Sequence, residues 1–175
     1  GHLPEMDPAS GYASYLTWLS SDRRLAPARD YWARDLGGFA EPSTLRVELA
    51  PPQGPRPEQR DLNMLLDRPT SARLNHCARQ HHVTLNALMQ AAWSLTMRQF
   101  SGADDILFGA TVSGRGGELP GAEQMVGLFI NSVPVRIRID ADQPVAAWLL
   151  DLQEGQLERD LHSCLPLVDL AAMTD

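Results

Sequence analysis

The stretch "TLNALMQAAWSLTMRQFSG", residues 84 to 102, constrains the chain most. It carries Leu85, Leu88, Met89, Ala92, Leu95 and Phe100 at helical spacing, uninterrupted by proline or glycine. Thr84 is a good N-cap and Ser101-Gly102 a stop signal, so a helix over about 85–100 is expected. Its apolar residues spread so far round the helix that it is expected to be largely buried. A buried helix needs other elements around it. The 175 residues suffice for one domain, or one lobe of a bilobal protein, with a real core. Hydrophobic residues make up 43% and charged residues 21%, an ordinary globular composition.

The flanking sequence supplies those other elements. "YASYLTWLS", residues 12–20, places Tyr15, Leu16, Trp18 and Leu19 at helical spacing. Pro27 opens "PARDYWARDLGG", a short helix that stops at Gly37-Gly38. "STLRVELAPP" alternates Leu45, Val47 and Leu49, and "RDLNMLLD" alternates Leu62, Met64 and Leu66. Two strands are expected there, joined by the Pro-rich "PPQGPRPEQR". After Pro69, Leu74, Cys77 and Ala78 form a narrow apolar stripe on a polar helix. "DDILFGATVSGR" reads as a strand entering a Gly-rich loop. "NSVPVRIRID" reads as a strand with Val133, Val135, Ile137 and Ile139 alternating. A last helix, about Val145 to Leu161, puts Leu149, Leu152 and Leu157 on its buried side. Trp18, Tyr31, Trp32 and Trp93 are assigned to the core. Glu154, Glu158 and Asp160 are assigned to one solvated helix flank.

The net charge of −7, with no Lys/Arg run, argues against nucleic acid or an anionic membrane surface as the main partner. No apolar run approaches a membrane span, and residues 1–25 lack a signal-peptide layout, so a cytoplasmic protein is expected. Gly1-His2 reads as an expression-tag scar. Cys77 and Cys164 read as reduced thiols. Cys77 and His81 lie four apart, but no second ligand pair follows, so no metal site is expected.

"HHVTLNA", residues 81–87, comes close to H-H-x-x-x-D-G, the active-site signature of a large acyltransferase superfamily. Asn86 supplies no carboxylate and Ala87 lacks the freedom of glycine. The local chemistry describes a helix–turn–helix junction instead. His82 falls where the first helix should end in left-handed backbone, Thr84 caps the second, and Val83 with Leu88 has the spacing of a hydrophobic staple. No residue of the chain is therefore assigned as catalytic.

Four other stretches carry a family resemblance. "YASYLTW", Tyr12–Trp18, resembles Y-x-D-Y-A-x-W of nonribosomal peptide synthetase condensation domains, with Ser14 for Asp and Leu16 for Ala. Val83–Arg115 resembles their long helix, strand and loop. "VGLFINSVPVR" resembles G-x-F-V-N-T-x-x-x-R through Gly127, Phe129, Asn131 and Arg136, with Ser132 for Thr. "HSCLPL" is similar to H-Q-D-Y-P-F through His162 and Pro166. His162 is read as structural.

The resemblance implies an α/β fold, a chloramphenicol acetyltransferase-like lobe with a mixed β-sheet packed by helices. Residues 1–175 would be the carboxy-terminal lobe, without the amino-terminal lobe and its catalytic His motif, and inactive alone. It implies amide formation between acyl or aminoacyl thioesters on donor and acceptor peptidyl carrier proteins. Each thioester hangs on the carrier's 4'-phosphopantetheine arm, with no cofactor bound to the lobe. The expected partners are those carriers and the amino-terminal lobe. The resemblance places residues 110–121 near a tunnel floor, the alternative being a surface turn with no ligand contact, and makes Ser113, Gly114, Arg115, Asn131 and Arg136 the substrate-tunnel candidates. Arg136 is alternatively a lobe-interface or an exposed strand arginine, and Asn131 a cap of the strand turn. The alternatives are an epimerising or acyl-CoA-dependent relative, or a non-catalytic module that recruits a partner enzyme.

Overall fold

The computed structural model describes residues 11–39, 61–115 and 119–173. The strand expected at Leu45–Leu49, the Pro-rich loop 51–60, Gly1-His2 and the stretch Gly116, Gly117, Glu118 lie outside the described residues. The fold is α/β, a small antiparallel sheet packed by helices. The chain divides into two units, Gly1–Pro42 with Leu107–Arg136 and Gly155–Asp175, and Ser43–Ile106 with Ile137–Glu154.

In the first unit, α1 spans Tyr12–Leu19 and α2 spans Asp22–Leu36. The helix expected to open at Pro27 begins five residues earlier, so Pro27 lies inside it. An internal proline removes one backbone hydrogen bond. The packing of Ala28, Trp32 and Leu36, one turn apart and essentially inaccessible, offsets that loss. They form a core with Val133, Cys164, Leu165 and Leu170, the last from α6, Leu167–Ala171. The Trp32 indole N–H donates to the His162 carbonyl at 2.8 Å, satisfying its one polar atom. Burial pushes the Cys164 thiol above its ordinary range, in keeping with a packing role.

In the second unit, α3 spans Arg68–Gln80 and packs against α4, Leu85–Ser101. The Asp67 carboxylate caps α3 by accepting the Thr70 N–H at 2.8 Å. Thr84 caps α4 by accepting the Ala87 N–H at 3.1 Å. The long helix is where expected, but its buried face is not the large apolar one. Ala87, Gln90, Ala91, Ser94, Met97 and Ser101 are buried, whereas Leu85, Met89, Trp93, Leu95 and Phe100 are exposed. The small side chains of Ala87, Ala91, Ser94 and Ser101 on this face let neighbours approach the helix closely. Ser94 tolerates burial because its hydroxyl donates to the Ala91 carbonyl. Trp93 is therefore not a core residue.

Residues 61–67 form no strand, and Leu62, Met64, Leu65 and Leu66 are all exposed. A strand needs a neighbour for its backbone N–H and C=O groups, and among the described residues none pairs with this segment.

β1, Asp105–Ser113, pairs with β2, Ile130–Arg138. The Gly114 N–H donates to the Phe129 carbonyl at 2.8 Å, and the Ile139 N–H to the Asp104 carbonyl at 2.8 Å. This antiparallel register sets Ser113 opposite Ile130 and Ile106 opposite Ile137. Val133, Val135 and Ile137 are buried as the alternation predicts, yet Pro134 and Arg136 between them are buried too.

α5 spans Val145–Leu161. Trp148, Leu149 and Leu152 are buried as a helical stripe, but Leu157 is exposed and Arg159 is buried at 4% exposure. The helical period explains both outcomes. Position 159 lies seven residues from Leu152 and shares its face, while 157 lies five away on the opposite flank. Gly155, one turn before Arg159, leaves its guanidinium room.

Candidate functional site

Ser113, Gly114 and Arg115, three of the tunnel candidates, lie at the turn that joins β1 to β2. Tyr12 and Tyr15, one turn apart on α1, share a helix face. That face packs on Phe129, with ring centroids 5.3 Å from Tyr12 and 4.5 Å from Tyr15. The Tyr12 hydroxyl donates to the Leu128 carbonyl. Two glycines permit this approach: a methyl group on Gly127 would overlap the Tyr12 ring, and one on Gly114 would overlap the Phe129 carbonyl oxygen. Tyr15, Met125 and Phe129 form the buried centre of the cluster. Burial, with Tyr12 nearby, holds the Tyr15 phenol above its ordinary range, so it stays protonated at neutral pH.

Arg115 closes the turn. One guanidinium nitrogen lies 3.0 Å from the Ala122 carbonyl, 3.4 Å from that of Glu123 and 2.8 Å from that of Met125. These carbonyls belong to the short 3-10 helix Ala122–Gln124 and its end. The guanidinium also lies 4.1 Å from the centre of the Phe129 ring. Ser113, at the end of β1, is exposed, and its hydroxyl oxygen accepts the Arg115 N–H at 3.4 Å. Met125 and Phe129 point inward, whereas Val126, Leu128 and Ile130 are 86%, 73% and 66% exposed. An apolar ridge thus runs beside the serine.

Asn131 sits where β2 begins. Its amide donates to the Ser163 and Leu165 carbonyls, both at 2.8 Å, and its carbonyl oxygen accepts the Ser132 N–H at 2.9 Å. Arg136 donates to the Asp35 and Gly37 carbonyls, both at 2.8 Å. These carbonyls lie at the C-terminal end of α2, where a cation is favoured. The structure thus places Ser113, Gly114 and Arg115 at the end of β1, while Asn131 and Arg136 on β2 bind backbone carbonyls at residues 163 and 165 and at residues 35 and 37. His162 stacks on Tyr31, centroids 4.6 Å apart, and burial holds its imidazole below the ordinary value of 6.5. Burial, with Asp35 and Glu158 nearby, pushes the Tyr31 phenol up to about 12.

The look-alike "HHVTLNA" is a helix C-cap. His82 has φ 56°, its N–H donates to the Arg79 carbonyl, and the Val83 N–H donates to the Ala78 carbonyl at 2.9 Å. That pair of bonds is a Schellman motif, with His82 in the left-handed position that usually holds glycine. Among the described residues, no group of three or more His, Cys, Asp or Glu side chains could hold a metal ion. No helix of the described residues is long and apolar enough to cross a membrane.

Sequence reasoning missed the aromatic clamp of Tyr12, Tyr15, Phe129 and Arg115. The spacing of the two tyrosines was visible, but their partners stand about a hundred residues or more away.

A two-stranded antiparallel sheet with helices packed on it defines an α/β lobe. The family model described as "Condensation domain" matches residues 1–175, and the chain belongs to that family. It is 38% identical over 177 residues to a linear gramicidin synthase of Brevibacillus parabrevis, covering 100% of this chain and 4% of that protein. It is 40% identical over 166 residues to chondramide synthase cmdD of Chondromyces crocatus, covering 94% of this chain and 4% of that protein. The chain therefore spans only a few per cent of these relatives. Among solved structures, it resembles the X-domain from teicoplanin biosynthesis, with TM-score 0.76 and 23% identity over 98% of this chain and 40% of that one. It also resembles the first condensation domain of the calcium-dependent antibiotic synthetase, with TM-score 0.72 and 21% identity over 93% of this chain and 35% of that one. At these identities the likeness shows the fold.

Proposed function

We propose that this chain is the carboxy-terminal lobe of a nonribosomal peptide synthetase condensation domain, supplying wall and floor to a substrate tunnel and a docking surface for carriers. The family match over residues 1–175 carries the reading. In the reaction, the acceptor's amine attacks the donor's thioester carbonyl. A C–N bond forms, the C–S bond breaks, and the amine proton leaves as the phosphopantetheine thiol is released. The arms belong to the carrier proteins, so the lobe's task is to position two tethered reactants.

The exposed Ser113 hydroxyl is suited to a polar contact with the arm or the amine, and the ridge of Val126, Leu128 and Ile130 to its apolar parts. Asn131 and Arg136 support the wall by holding β2. The proton-handling His belongs to the other lobe, which agrees with His82 being spent on a helix cap. The site of action is the cytoplasm, where the carriers are loaded.

The test uses the synthetase module that carries this chain, with donor and acceptor carriers loaded in vitro and the product followed by mass spectrometry. An amide on the acceptor carrier is expected from the module and none from residues 1–175 alone. A module that forms no amide but retains a partner enzyme would replace this reading with the recruitment alternative.

A further inference from the structure

Among the described residues, the turn between β1 and β2 is held by 3-10 bonds. Within residues 119–125 the backbone makes three bonds of 3-10 type: Ala122 N–H to Leu119 O at 3.3 Å, Gln124 N–H to Gly121 O at 3.0 Å, and Met125 N–H to Ala122 O at 3.3 Å. Such bonds are geometrically poor, so they do little to hold a single shape. Gly121, with φ 80°, begins this turn in left-handed backbone. The Arg115 side chain binds across it. The carbonyls of Ala122, Glu123 and Met125 converge on one nitrogen of Arg115, and the same guanidinium lies over Phe129. Phe129 is in turn fixed between Tyr12 and Tyr15. Cation-to-carbonyl bonds are the strong ones in such a network.

Resting on the reading above, we infer that Arg115 is a positioning residue for the condensation reaction. It clasps residues 119–125 against the α1 aromatic clamp, and it fixes the wall that carries Ser113 and the ridge from Val126 to Ile130. Arg115 acts through the loop and not by touching substrate. Lysine retains the charge and three donors but has no flat face for Phe129, so it should replace arginine in part.

Two measurements on the synthetase module and its Arg115→Ala and Arg115→Lys variants test this. Hydrogen exchange reads the clasp directly. The amides of Ala122, Gln124 and Met125 should exchange about ten- to hundredfold faster in Arg115→Ala, with the amides of α2 unchanged. Kinetics read the consequence. Arg115→Ala should lower kcat about ten- to hundredfold, with KM for both carrier substrates and the melting temperature held, and Arg115→Lys should return to within about fivefold of wild type. Unchanged loop exchange overturns the inference. So does an unchanged kcat, or a loss of kcat matched by a loss of folded protein. If the wild-type module forms no amide, the functional reading fails, and faster or unchanged loop exchange still decides whether Arg115 is the clasp.

Discussion

Asn131 commits both amide hydrogens and its oxygen to backbone, bridging the start of β2 to residues 163 and 165. Substitution by alanine leaves the Ser163 and Leu165 carbonyls without their donor in a half-buried setting. Asn131→Ala should lower the unfolding free energy by about 1–3 kcal/mol, read from the urea midpoint at constant slope. A shift under about 0.5 kcal/mol, the scale of an ordinary surface change, would remove Asn131 from the residues that hold the wall. The sequence marked Asn131 as a polar residue at the edge of an apolar run, but not its partners, because they lie 32 and 34 residues further on.

Among the elements, the junction of α3 and α4 was the most legible. Thr84 was identified as a cap and His82 as a left-handed residue from local chemistry, and both stand as expected. His82→Gly should raise stability by about 1 kcal/mol, since glycine adopts φ 56° without a Cβ clash. It should leave amide formation by the intact module unchanged. A fall in turnover of about a hundredfold or more would show instead that this imidazole takes part in the chemistry. The faces of the helices were less legible than their ends. α4 buries Gln90, Ser94 and Ser101 and α5 buries Arg159, in each case because the packing partner, and not side-chain hydrophobicity, selects the face. α1 has no side-chain cap at Gly11, and it is held by its rings on Phe129.

At the scale of the molecule, stability against pH sums these local environments. Burial lowers the folded pKa of His162, so the unfolded chain binds a proton more readily. Stability is therefore retained above the ordinary value of 6.5 and falls as pH drops from there through the lower folded value. Asp67 works in the same direction at lower pH. Its hydroxyl and N–H bonds from Thr70 depress the carboxyl pKa, and the cap is lost as that group is protonated. Asp160, raised chiefly by burial, opposes it. The unfolding free energy should thus decline as pH falls below the ordinary imidazole value of 6.5, and His162→Gln should flatten that decline. An unchanged slope in the variant would assign the decline to other groups.

Composition, caps and stop signals were set by the sequence itself, since each acts over a few residues through backbone geometry and solvation. The same holds for the order of motifs that placed the chain in its family. The pairing of β1 with β2, the stacking of Tyr12 and Tyr15 on Phe129, and the guanidinium of Arg115 on three carbonyls came only with the tertiary structure. So did the exposure of Leu62–Leu66, where a periodic strand pattern found no neighbour among the described residues. Burial and pairing depend on what lies across the fold, and no window of sequence contains both sides of such a contact.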